Sequence, residues 1–251
     1  MDRWTGRVAL VTGASVGIGA SIAQKLVEGG MKVIGVARNF QAIADAAKKL
    51  EGAKGQLIPM KCDVTKEEDI LKVFANIRKN YGGVDVLINN AGLAHDAPLL
   101  DPSSKTSDWK NMLDVNVLGI AICSREAYKS MKERGIDDGH IFNIGSMSGH
   151  RVIPSSKGHF YSATKFAVKA MTEGTRQELR EAKSHIRVTH VSPGVVETEF
   201  AYRFTGPDSQ TYKNLMALQA EDISSSVIHA LTAPAHVEIN DILIRPTEQS
   251  S

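Results

Sequence analysis

Short apolar, β-branched runs alternate with longer stretches of helical periodicity along the whole chain. The pattern predicts strands at Val8–Val11, Lys32–Val36, Gln56–Met60, Val84–Ile88, His140–Ile144, Ile186–Val191 and Ile239–Ile244. Most of these runs lack strict polar/apolar alternation. They read as strands covered on both faces, which is how a parallel sheet reads. Between them the spacing predicts helices over Ile18–Glu28, Lys66–Asn80, Ser107–Met131 and Ser162–Ala182. Seven strands interleaved with helices imply an α/β protein with a doubly wound parallel sheet, because parallel neighbours need crossover connections and helices supply them. No linker, internal repeat or low-complexity tract divides the sequence, so residues 1–251 are expected to form a single domain.

Composition changes this picture little. The length suits one large α/β domain, and a net charge of +2 gives no reason to expect nucleic acid or an acidic membrane surface as partner. No apolar run reaches the ~18 residues of a membrane span. Met1–Gly6 lead almost at once into the first strand, without a charged-then-apolar leader, so a cytoplasmic location is expected. Cys62 and Cys123 are far apart, with no metal-ligand spacing; both are expected to be reduced core residues, and no metal site is expected.

The first predicted strand runs into Thr12-Gly13-Ala14-Ser15-Val16-Gly17-Ile18-Gly19, and a helix follows. Glycines there let the backbone turn tightly and approach a pyrophosphate, whose charge meets free N–H groups and the positive end of the helix dipole. Such a turn is also an ordinary strand–helix connection, but its place after the first strand of a βαβ unit favours a dinucleotide. The second strand ends Gly35-Val36-Ala37-Arg38-Asn39. An NAD-preferring site places a carboxylate here for the ribose hydroxyls; the Arg38 guanidinium instead suits a 2′-phosphate, so NADP(H) is expected.

A second constellation is Tyr161 and Lys165, four residues apart and hence on one helix face. An ammonium beside a phenol lowers its pKa, and the phenol could then pass protons near neutral pH. Pairs at this spacing also occur on ordinary helices.

Taken together, Thr12-Gly13-x-x-x-Gly17-x-Gly19, Asn89-Asn90-Ala91-Gly92, Ser146, Tyr161-x-x-x-Lys165 and Pro193-Gly194 resemble the short-chain dehydrogenase/reductase family in order and approximate spacing, over essentially the whole chain. The resemblance implies a Rossmann-type sheet of about seven strands flanked by helices. It implies that Gly13, Ser15, Val16, Gly17 and Ile18 cradle the cofactor phosphates, that Arg38 meets the 2′-phosphate, and that Asp63 and Val64 lie at the adenine. Asp63 read by itself is equally a turn or helix-cap aspartate. Asn89 and Asn90 would hold the fourth strand's end by the ribose, with Ala91 and Gly92 leaving room. Tyr161 would transfer the proton, Lys165 would also hold the nicotinamide ribose, and Ser146 would bind the substrate oxygen. Asn116, a residue poorly suited to a helix interior, would bind a water linking Lys165 to solvent. Pro193, Gly194, Val196 and Thr198 would border the nicotinamide. Ser146 lies fifteen positions before Tyr161, about two more than is usual in the family, which a loop absorbs cheaply. Ser148 satisfies the shorter count and is the alternative. His150, Arg151 and His159 read as loop or rim residues, and Met147 as packing.

Within the family, Gly145-Ser-Met-Ser-Gly-His-Arg-Val152, Pro193-Gly-Val-Val-Glu-Thr198 and Arg245-Pro-Thr-Glu-Gln249 are similar to the dehydrogenase/reductase member 11 group and the insect farnesol dehydrogenases. The first implies ketosteroids and small diketones as substrates, the second farnesol and related isoprenoid alcohols. Residues at about 195–220 would cover the substrate, with Phe200, Tyr202, Phe204, Leu215, Met216 and Leu218 offering apolar surface. Ala163, Ala167, Ala170 and Gly174 form a small-residue stripe along the Tyr161 helix. The family pairs this helix across a dimer, often within a tetramer, so a homodimer or homotetramer is expected. A non-catalytic NADP(H)-binding sensor is the rival from another class; a cofactor cradle alone does not require Asn116, Ser146, Tyr161 and Lys165.

Overall fold

The computed structural model describes residues 1–200 and 216–249. Seven strands form one parallel sheet: β1 (Val8–Thr12), β2 (Lys32–Ala37), β3 (Gln56–Lys61), β4 (Val86–Asn89), β5 (His140–Ile144), β6 (Arg187–Pro193) and β7 (Asp241–Ile244). Their spatial order is β3-β2-β1-β4-β5-β6-β7. The first half of the chain winds outward from β1 to β3; the second begins again on the other side of β1 with β4. That reversal opens a crevice beyond the carboxyl ends of β1 and β4, where ligands of open α/β sheets bind.

The lack of alternation in the strands has a simple cause. Every strand but the edge strand β7, whose Asp241 and Leu243 are exposed, feeds two cores. Ala9, Val11, Val33, Val86, Ile88, Phe142 and Ile144 pack on one side of the sheet with Ile22 and Leu26 of α1 (Gly17–Glu28). Ile223, Val227 and Leu231 of the helix Ala220–Thr232 join the same core. Their strand neighbours Val8, Leu10, Ile34, Val36, Leu87, Ile141 and Val188 point to the other side. There they meet α3 (Glu67–Tyr81), α5 (Gly119–Glu133) and α6 (His159–Glu181), through residues such as Ile70, Ile77, Ile122 and Leu179. A second-half helix, α4 (Thr106–Leu113), and a first-half helix, α2 (Phe40–Lys49), complete the layers; the Ala220–Thr232 helix is α7. Among the described residues no helix is long and apolar enough to cross a membrane. Cys62 and Cys123 are buried free thiols.

One predicted helix divides in two. The stretch expected as a single helix over Ser107–Met131 contains a wide π-helical turn at Asp114–Leu118, where the Gly119 N–H reaches back to the Asp114 carbonyl. Asn116 sits in this turn. Such an insertion re-aims the residues on either side of it and often marks a functional position.

Between the sheet and α6 runs a buried chain of side-chain hydrogen bonds. Asn89 Nδ2 donates to Ser124 Oγ (3.0 Å) and to Asn143 Oδ1 (2.8 Å), Asn143 Nδ2 donates to Thr172 Oγ1 (2.9 Å), and Thr172 donates to the Val168 carbonyl (2.8 Å). The chain ties β4 to β5 and β5 to α6, the helix that carries Tyr161 and Lys165. Removing Asn143 strands two buried partners, so Asn143→Ala should lower unfolding free energy by about 2–3 kcal/mol, read by urea denaturation.

Candidate active site

β1 ends at Thr12, and the chain turns through Gly13 (φ 67°) and Gly17 (φ 58°), both in the left-handed region that glycine tolerates. A Cβ at Gly19 would overlap the Gly13 carbonyl oxygen and the Asn90 amide, so α1 can approach the turn only with glycine there. The turn is held from β4. Asn90 Nδ2 donates to the carbonyls of Thr12 (2.9 Å) and Gly13 (3.1 Å). Thr12 Oγ1 accepts from the N–H groups of Asn90 and Ala91, both at 3.0 Å. α1 begins at Gly17 without a side-chain cap, which leaves its first N–H groups to meet an anion.

This turn forms one end of a cleft of about 530 Å³. Gly13, Ser15, Val16, Gly17, Ile18, Arg38, Asp63, Val64, Asn90, Ala91, Gly92, Tyr161, Lys165 and Thr198 all line it. Arg38 is exposed on its rim. Asp63 is both a cleft residue and a turn aspartate: its Oδ1 accepts from the Thr65 N–H (3.1 Å) and hydroxyl (2.8 Å). Burial pushes its carboxyl up, but the Thr65 hydrogen bonds and the nearby Arg38 charge prevail and hold it below its usual range.

At the inner end lie Tyr161 and Lys165, in the first two turns of α6 and both buried. The Lys165 Nζ stands 5.6 Å from the Tyr161 ring centroid and donates to the Ile144 carbonyl (3.1 Å). Ser146 is near enough to the Tyr161 phenol to pull its pKa down. The Ser148 N–H donates to Ser146 Oγ (3.1 Å), so Ser148 holds Ser146 from within the loop. The ammonium does not lower the phenol as spacing suggested. Burial dominates instead: it pushes Tyr161 up to about 12, against the pull of the Ser146 hydrogen bond, and Lys165 down to about 8. The phenol is therefore protonated at neutral pH.

Asn116 is fully buried behind this pair. Its Nδ2 donates to the Leu93 carbonyl (2.8 Å) and Thr164 Oγ1 (3.0 Å), and its Oδ1 accepts from the Leu93 N–H (2.9 Å). The side chain thus joins the π-helical turn to the segment after β4 and to α6. A Cβ at Gly92 would lie 3.5 Å from Asn116 Oδ1 and 3.7 Å from Lys165 Nζ, so Gly92 borders both. Asn116, Ser146, Pro193, Gly194 and Val196 stand behind the lining; Val196 is buried in the core and pairs with Leu218.

Phe200 closes the cleft opposite Tyr161, its ring centroid 5.8 Å from the phenol ring. Tyr202, Phe204 and Leu215 lie outside the described residues, and Met216 is exposed. An apolar cluster that the sequence pattern did not reveal packs behind Tyr161 and Phe200. Ala97, Met112 and Tyr161 pack with Trp109, Ile153 and Phe160, and Trp109 stacks on Phe160 at 5.5 Å. Thr12 and Thr164 were missed as well, although Thr12 stands inside the glycine-rich motif. His150 contacts Ser192 (2.9 Å) and Lys169 (2.9 Å), with His190 and Asp241 beside it, forming a polar cluster under α6.

The family model for short chain dehydrogenases matches residues 7–206. The chain belongs to that family. Among relatives of this short-chain dehydrogenase, the chicken (Gallus gallus) dehydrogenase/reductase SDR family member 11 is 58% identical, covering 100% of both chains. The farnesol dehydrogenase of Aedes aegypti is 45% identical over 98% of both. A solved structure described as the closed form of serine dehydrogenase complexed with NADP+ is 33% identical, covers 97% of this chain and 96% of its own, and superposes with a TM-score of 0.86.

The buried lysine of this short-chain dehydrogenase makes a stability prediction. With Lys165 at about 8 folded and 10.5 ordinarily, the unfolded chain holds a proton between those values that the folded chain lacks. Stability should therefore rise with pH across that window. Urea denaturation at pH 7.5 and 10 should show this rise for wild type, and Lys165→Met should lack about 2 kcal/mol of it.

Proposed function

We propose that this chain is an NADP(H)-dependent oxidoreductase that interconverts a ketone or aldehyde and its alcohol, acting on bulky apolar substrates in the reducing direction. The observation that carries this reading is a buried Tyr161 with the Lys165 Nζ 5.6 Å from its ring, both lining the inner end of a cleft whose other end is a glycine turn suited to phosphate. Uncapped N–H groups at α1, the left-handed turn at Gly13 and Gly17 and the Arg38 guanidinium fit a dinucleotide bearing a 2′-phosphate. The NADP+ bound by the serine dehydrogenase neighbour supports the same choice.

Gly13 and Ser15–Ile18 hold the pyrophosphate, Arg38 the 2′-phosphate, Asp63 and Val64 the adenine, and Ala91 and Gly92 the ribose side. Thr198 and the Val196 backbone orient the nicotinamide end. When bound, the reduced cofactor supplies the hydride that the carbonyl carbon receives. Ser146 donates a hydrogen bond to the carbonyl oxygen, and Tyr161 gives that oxygen its proton as negative charge develops there. The Lys165 ammonium offsets the phenolate left behind, and the proton returns through Lys165 along the path bordered by Gly92 and Asn116. A phenol that burial holds at about 12 carries its proton at neutral pH, which is the form that reduction needs at the start of the step.

Phe200, Leu93 and Ala94 give the cleft an apolar side beside Tyr161, backed by the cluster of Trp109, Phe160, Met112 and Ile153, and this favours large apolar substrates over charged metabolites. Likeness to the member 11 group points to 3- or 17-ketosteroids and diketones. The second reading, an isoprenoid alcohol such as farnesol, is favoured by the Aedes aegypti relative. A sensor without chemistry is disfavoured, since it needs no assembled Ser146, Tyr161, Lys165 and Asn116. The chain is further proposed to be a homodimer or homotetramer through α6. Its Ala163 and Ala170 are exposed, and Phe166, Leu113 and Leu118 leave apolar surface uncovered.

NADPH oxidation against a diketone, a 3-ketosteroid, a 17-ketosteroid and farnesal tests the chemistry. Turnover is expected with NADPH, weaker with NADH, and reduced at least ~10²-fold in Tyr161→Phe. Undiminished turnover in that variant would remove Tyr161 from the proton step. Light scattering should give a mass of two or four chains; a monomer at micromolar concentration would sink the assembly.

A further inference from the structure

The end of the chain reaches back to the wall of the cleft. Beyond β7, Gln249 Oε1 accepts a hydrogen bond from the Val195 N–H at 3.0 Å. A Cβ on Gly194 would overlap that same oxygen and stand 2.7 Å from Arg245 Cβ, so glycine at 194 is what lets the tail lie against the loop after β6. The preceding residue makes a matching contact: Glu248 Oε2 accepts from the Met216 N–H at 3.1 Å.

These two amides belong to the two strands of one small bridge. Val196 pairs in parallel with Leu218. The Glu197 N–H donates to the Leu218 carbonyl (2.8 Å), and the Leu218 N–H to the Val195 carbonyl (3.0 Å). Gln219 Nε2 adds a bond to the Glu197 carboxylate (3.0 Å). Consecutive tail residues therefore grip both sides of the bridge from outside. The bridge leads directly into the cleft: Thr198 lies against Gly17 of the phosphate turn, and Phe200 faces the Tyr161 ring.

We propose that Glu248 and Gln249 are positioning residues for this reaction: the tail clamps the Val195–Phe200 wall in the place from which it meets the nicotinamide end of the cofactor. The inference rests on the cofactor reading above. Its physical content is preorganisation. A wall already ordered before the cofactor arrives saves the ordering cost that binding would otherwise bear. By linkage, a cofactor that contacts this wall also tightens the tail.

The test uses the full chain and the variants Gln249→Ala, Gln249→Glu and Glu248→Ala. Amide hydrogen exchange without cofactor reads the clamp directly. NADPH titration by fluorescence, and kcat and KM separately, read its effect on the site. Gln249→Ala is expected to speed exchange at Val195 and Glu248→Ala at Met216. Each should raise the NADPH dissociation constant about tenfold, the scale of one lost hydrogen bond, while the thermal midpoint holds. Gln249→Glu keeps an acceptor for the Val195 N–H and should restore binding. NADPH should slow exchange at both amides in wild type. A tail that only stabilises the fold would lower the midpoint and leave NADPH affinity unchanged, which would overturn the proposal. Unchanged exchange in Gln249→Ala would overturn it too. A wild type that binds no NADPH would remove the cofactor reading and this one with it, whereas wild-type binding with unaffected variants removes this one alone.

Discussion

Thr12 and Asn90 lock the carboxyl ends of β1 and β4 to each other across the point where the sheet reverses direction. The Thr12 hydroxyl accepts two N–H groups from the β4 side, and the Asn90 amide donates to two carbonyls on the β1 side. A crevice between diverging connections would otherwise be free to widen. With the clamp in place, the glycine turn, the start of α1 and the segment Ala91–Leu93 have fixed relative positions. The absent side chain at Gly19 completes the arrangement, because it lets α1 settle against the same carbonyl that Asn90 holds. The rest of the site is built outward from this joint. Leu93 is bonded on both its polar backbone groups to Asn116, and Asn116 in turn reaches α6 through Thr164.

Burial sets the protonation of Tyr161 and Lys165 more strongly than their mutual charge does. Lys165 is 5.6 Å from the Tyr161 ring, near enough for attraction, yet both groups move toward their neutral forms. Tyr161 therefore keeps its proton at neutral pH, and Lys165 loses its own more readily than an exposed lysine does. The Ser146 oxygen accepts the Ser148 N–H, which leaves the serine's own proton for another oxygen. The hydrogen-bond chain through Asn89, Asn143 and Thr172 keeps α6 in register with the sheet, so that these positions do not drift.

The apolar surroundings of the site have a different origin. The glycine turn, Tyr161 and Lys165 come from the ends of strands and the start of α6. The apolar cluster behind the cleft comes from α4, the loop before α6, the first turn of α6 and the segment after β6, with Trp109, Ile153, Phe160 and Phe200 as its large members. Connections of this kind vary without disturbing the sheet, which is why one scaffold serves many carbonyl substrates.

Much of this was legible in the residues alone. A seven-stranded parallel sheet follows from β-branched runs too uniformly apolar to face water, and all of them but the edge run Ile239–Ile244 do feed two cores. The strand–glycine–helix order locates the cradle, and the end of β2 bears an arginine where a carboxylate would select NAD. The pairing of Tyr161 with Lys165 follows from helical periodicity. Other features depend on contacts that no local pattern encodes. The π-helical turn at Asp114–Leu118 exists because Asn116 is bonded to Leu93 and Thr164, residues 23 and 48 positions away in the sequence. Ser146 and Ser148 are joined to each other by the fold of the loop before α6, which a count of positions cannot supply. The direction of both pKa shifts depends on burial, and burial is a property of the packed molecule. The hold of Gln249 on Val195 joins residues 54 positions apart. Local sequence determines which backbone forms are cheap and which side chains share a face; only the packed tertiary structure decides which distant groups meet and how much water they keep.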